Sequence, residues 1–115
     1  MTEVLNRSPY PLADVRRIVL RLPWPPWTRR VIVASRNFKN DRRGGFTEKG
    51  GREVWLWLWS PKSRGGKPYP DADGFRSWRE ELRLTTRHEL IHAWIGGGSA
   101  TETVARFVER GWWTR

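Results

Sequence analysis

At 115 residues the chain is sized for one domain with a single modest core. It has no cysteine, which excludes disulfides, thiolate zinc sites and cysteine catalysis, and its nine tryptophans argue against a disordered chain. Lys and Arg outnumber Asp and Glu by 22 to 12, and the resulting net charge of +10 favours anionic partners such as nucleic acid.

The first residues, Met1 to Arg7, lack the apolar stretch of a signal peptide and carry Glu3 early. The longest apolar run, Val54-Trp55-Leu56-Trp57-Leu58-Trp59, is far short of a membrane span. The expected setting is therefore the cytoplasm, with no membrane association. A first helix is predicted over residues 11–22, where Leu12, Val15, Ile18, Val19 and Leu22 follow helical spacing. Arg16, Arg17 and Arg21 fall on its other side. Pro23, Pro25 and Pro26 stop it.

Residues 29–35 follow as a strand, carried by the β-branched run Val31-Ile32-Val33. A polar loop leads to a short strand at 45–47. The stretch 52–59 is the strongest strand signal. Its tryptophans alternate with aliphatic residues, so one face is aromatic and the other aliphatic. Both faces are apolar, which predicts cover on both sides or a ligand on one.

A loop rich in Gly, Pro and Lys then runs to Gly74. Within it, Asp71 and Asp73 read as a turn, since the rest of a calcium loop is missing. Tyr69 is a remote candidate for an oxyanion donor.

Ser77-x-x-Glu80 is a capping-box pattern, and no Gly or Pro occurs from Trp78 to Ile95. This predicts a helix of about 27 Å. Gly96-Gly97-Gly98 ends it. A second capping box, Ser99-x-x-Glu102, opens a shorter helix over 103–110. The elements are segregated by type, which suggests an α+β domain.

The long helix carries His88-Glu89-Leu90-Ile91-His92, an H-E-x-x-H pattern. Residues at i and i+4 share a helix face, so the two imidazoles can hold one Zn²⁺. Glu89 sits about 100° around the axis. There it can take a proton from a water activated by the metal without ligating the metal itself. These are the only two histidines in the chain, and both lie in the motif. The bland alternative is two histidines on an ordinary amphipathic helix.

The segment Thr85-Thr86-Arg87-His88-Glu89-Leu90-Ile91-His92-Ala93-Trp94 resembles the active-site helix of zincin metallopeptidases. It looks most like the SprT-like and ImmA/IrrE groups and the small minigluzincins. The likeness spans residues 10–112, with motif-grade agreement over 85–107. It implies a minimal zincin-like domain over residues 1–115. The expected architecture is a small, mostly antiparallel sheet packed on an N-terminal helix, a long active-site helix and a short C-terminal helix. The implied activity is zinc-dependent hydrolysis of a polypeptide substrate.

A catalytic zinc needs a third protein ligand. With no third histidine, the chain departs from metzincins and SprT-like proteins, and the ligand must be a carboxylate. Glu102 is the leading candidate, because Glu102-Thr103-Val104-Ala105-Arg106 is similar to the Glu-x-x-Ala-Asp pattern of several gluzincins. Arg106 stands where that pattern has aspartate. Glu102 also fits as the capping partner of Ser99, and Glu109 is the fallback ligand. The competing reading is a basic module that binds nucleic acid or protein, with the H-E-x-x-H site structural or inactive.

Overall fold

The computed structural model describes residues 2–35, 44–59 and 76–96. They form a small α+β domain of four strands and two helices: β1 (Glu3–Arg7), α1 (Leu12–Leu20), β2 (Arg30–Ser35), β3 (Gly45–Thr47), β4 (Glu53–Leu58) and α2 (Trp78–Trp94). The short helix expected over 103–110 lies outside the described residues, as do Tyr69, Asp71, Asp73 and the second capping box.

The sheet order is β1-β2-β4-β3. β1 and β2 are parallel, β2 and β4 are parallel, and only β3 runs antiparallel to its neighbour β4. The expectation of a mostly antiparallel sheet is therefore corrected. The reason is topological. α1 returns the chain to the starting end of the sheet, so β2 must run alongside β1 in the same direction. β3 then runs back along the far edge, and β4 inserts between it and β2.

β1 was not anticipated. It is five residues long and buries one aliphatic side chain, Val4. Asn6 explains where it ends. Its amide donates to Tyr10 O at 2.7 Å, and its carbonyl oxygen accepts from Ser8 N at 3.0 Å, turning the chain into α1.

α1 is shorter than predicted at both ends. Pro11 caps it without a side-chain bond. Trp24 Nε1 donates to Val19 O at 2.8 Å, satisfying a carbonyl that the proline-rich segment beyond would leave unpaired. Only Val15 and Val19 are fully enclosed, while Leu12 and Leu20 remain exposed.

The core lies between the sheet and the two helices. Val31, Val33, Val54, Leu56 and Leu58 pack with Val15, Val19, Leu82 and Ala93. Each buried valine or leucine contributes about 1.5–3 kcal/mol, so this cluster fixes α2 against β4. The opposite face of β4 carries the aromatic residues. Trp55 and Trp57 stack at 5.9 Å and stay half-buried, with the Arg7 guanidinium 5.7 Å from the Trp55 ring. β4 ends where Glu81 intervenes. This fully buried carboxylate accepts from Trp59 N at 2.8 Å.

α2 starts as the sequence predicts. Ser77 Oγ accepts from Glu80 N at 3.2 Å, and the Glu80 side chain reaches back to Arg76 N at 3.4 Å. Ser77→Ala should lower stability by about 1 kcal/mol and the melting temperature by about 4 °C, readable by circular dichroism. An unchanged melting temperature would deny the cap its role. Among the described residues no helix is long and apolar enough to cross a membrane.

Candidate metal centre

The last two turns of α2 carry the site. Leu90, Ile91 and Ala93 are buried among core residues, which locks the rotation of the helix about its axis. That rotation brings His88 and His92 onto one face. Their Nε2 atoms stand 3.2 Å apart, and the rings meet edge to face with centroids 4.8 Å apart. Two nitrogens held about 2.0–2.1 Å from one ion at a tetrahedral angle would stand about 3.3–3.4 Å apart. The pair as folded therefore has nearly the bite that zinc requires. The same separation also permits an N–H···N hydrogen bond between two neutral imidazoles.

Glu89 completes the group. One ligand atom from each of His88, Glu89 and His92 lies within 4.8 Å of the others. His92 and Glu89 are 3% and 4% exposed, so both are enclosed, whereas His88 is half-buried. A carboxylate this deeply enclosed needs hydrogen-bond partners. One of them is Thr47 on β3. Its hydroxyl is 2.9 Å from Glu89 Oε1 and 3.2 Å from the Glu89 carbonyl oxygen. A hydroxyl has a single proton, and the charged oxygen is the stronger acceptor.

Gly45 lies two residues before Thr47 and so shares its face of β3. A Cβ placed there would stand 2.7 Å from Glu89 Cγ and 2.9 Å from Oε2. The Glu89 side chain thus lies directly over the Gly45 backbone.

The far end of α2 is pinned separately. Trp27 Nε1 donates to Ala93 O at 3.0 Å, and Trp94 Nε1 donates to Pro23 O at 2.8 Å. The two indoles meet edge to face at 5.3 Å. Gly50 N donates to Gly96 O at 2.7 Å. The segment 23–27, which the sequence shows only as a helix stop, is therefore a clasp on the two residues after His92.

Of the residues proposed from sequence, the structure brings His88, Glu89 and His92 together. Glu102 and Glu109 lie outside the described residues. Gly45 and Thr47 escaped sequence reasoning because a three-residue strand holds no pattern that marks a partner 42 positions away. Comparison of the chain with protein-family models, curated proteins and solved structures returns no match.

Proposed function

We propose that the chain is a zinc-dependent peptidase in which His88 and His92 hold the metal and Glu89 is the general base. The observation that carries this is the 3.2 Å separation of the two Nε2 atoms beside an enclosed carboxylate. Glu102 supplies the third ligand, with Glu109 as its alternate. When bound, zinc provides a Lewis acid and brings the pKa of water toward 7.

The chain's own residues do the rest. The outer edge of β3 is the place for an extended polypeptide substrate to add as a strand, because among the described residues β3 is the last strand on that side of the sheet and adjoins α2. Glu89 accepts the proton of the attacking water and delivers it to the departing amine. Its burial excludes bulk solvent from that transfer. The net charge of +10 draws anionic partners, nucleic acid among them, to the same molecule.

Metal analysis tests the centre. The purified chain should retain one zinc after dialysis, and His88→Ala or His92→Ala should each abolish it. Glu102→Ala should weaken affinity by about 10- to 100-fold or more, a loss on the scale of disrupting a ligand's support. A wild-type chain that binds no zinc would sink the reading. The two imidazoles would then be a hydrogen-bonded pair in a basic binding module.

A further inference from the structure

The β3 strand does more than close the sheet. It presents two residues to one side chain of α2. Gly45 and Thr47 both face Glu89, one as an absence of bulk and the other as a hydroxyl donor. We propose that Thr47 is a positioning residue for the general base, holding the Glu89 carboxylate through Oε1 in the space that Gly45 leaves open. This rests on the peptidase reading of the centre and assigns to β3 a part in the proton transfer.

Three observations converge on it. Thr47 is 2% exposed, so its hydroxyl must be satisfied inside the protein, and Glu89 provides both acceptors within reach. The contact with Oε1 fixes how the carboxylate is turned, because a hydrogen bond to one oxygen restrains rotation about the last side-chain bond. Gly45 then removes the alternative of a crowded pocket. A side chain there would collide with Cγ, Cδ and Oε2 of Glu89, all within 3.0 Å. Gly45 does not adopt the left-handed backbone seen at Gly50, Gly51 and Gly96, so its glycine character answers to Glu89 and not to chain conformation.

A general base works only when its acceptor oxygen is correctly placed. An error of about 1 Å can cost about 100-fold. If the same strand also receives substrate, then the element that aligns the scissile bond also aligns the base, and the two share one frame.

The test uses the full chain loaded with zinc and a quenched-fluorescence peptide mixture as substrate. Thr47→Val keeps the shape and removes the hydroxyl, whereas Thr47→Ser keeps the hydroxyl and removes the methyl. The valine variant should keep one zinc per chain and its KM, while kcat falls by roughly 10- to 100-fold. The serine variant should return to within about 3-fold of wild type. Equal losses in valine and serine variants would overturn the proposal, since packing and not hydrogen bonding would then be at work. Full kcat in a zinc-loaded valine variant would overturn it as well.

Gly45→Ala approaches the same carboxylate by collision and serves if the valine variant does not fold. It should lower kcat with zinc retained, and wild-type kcat there would count against the proposal. A readout independent of turnover separates this idea from the peptidase reading. The Glu89 side-chain carboxyl ¹³C resonance, assigned through its loss in Glu89→Gln, should move in Thr47→Val and return in Thr47→Ser. A wild-type chain that hydrolyses nothing sinks the peptidase reading, while an unmoved resonance sinks the role of Thr47.

Discussion

Glu89→Gln is expected to reduce kcat by about 10²–10⁴-fold while zinc stays at one per chain. The amide is close to the carboxylate in size, so it should occupy the space over Gly45 without new collisions. Its carbonyl oxygen can still accept the Thr47 hydroxyl that now meets Oε1 at 2.9 Å. What it loses is the capacity to take a proton. Folding stability should change little or rise, because a 4%-exposed carboxylate is exchanged for a neutral group. The pairing of hydrolysis with metal content decides the matter. Lost activity with retained zinc assigns proton transfer to Glu89. Retained activity would remove Glu89 from the mechanism, and lost zinc would mean that it acts as a ligand.

How much of this could be read in the sequence depends on how local each feature is. α2 was legible apart from its last residue, because Ser77, the absence of Gly and Pro, and Gly96 are all signals within the helix or at its ends. The proximity of His88 and His92 was legible for the same reason, since four residues make one turn. β4 was legible from alternation, but which face enters the core was not: the aliphatic face does, while Trp55 and Trp57 on the other stay half-buried.

The direction of the strands was not legible. Whether β1 pairs with β2 is settled by where α1 docks, and β1 itself carries only Val4 as a buried anchor. The surroundings of Glu89 were hidden too. Thr47 and Gly45 are unremarkable small residues until β3 is laid against α2. Glu81 shows the same limit. Nothing in its local sequence marks it as enclosed, yet it is fully buried and accepts from Trp59 N at the end of β4.

The clasp at the end of α2 yields the largest expected loss of stability. Gly51 has φ of +69°, and a Cβ there would stand 2.6 Å from Ala93 O and 2.9 Å from Trp27 Nε1. Those are the acceptor and donor of the bond that holds the residue after His92. Gly51→Ala therefore meets two costs. The left-handed backbone costs a side chain about 1–2 kcal/mol. Forcing the collision apart costs about 1–3 kcal/mol more, since one partner is backbone and cannot swing away. A total of about 2–5 kcal/mol is a large share of the roughly 5–15 kcal/mol that holds such a domain together.

Gly50 provides the control. It also has positive φ, at +95°, but nothing lies within 4 Å of its would-be Cβ. Gly50→Ala should show the backbone cost alone. The difference between their urea midpoints thus isolates the collision with Ala93 and Trp27. Zinc affinity should fall by about 10-fold or more in Gly51→Ala and remain unchanged in Gly50→Ala, because only the first displaces the backbone beside His92. Equal destabilisation by the two variants would show that the clasp contributes nothing beyond chain conformation. It would also leave His92 to be positioned by the core contacts of α2 alone.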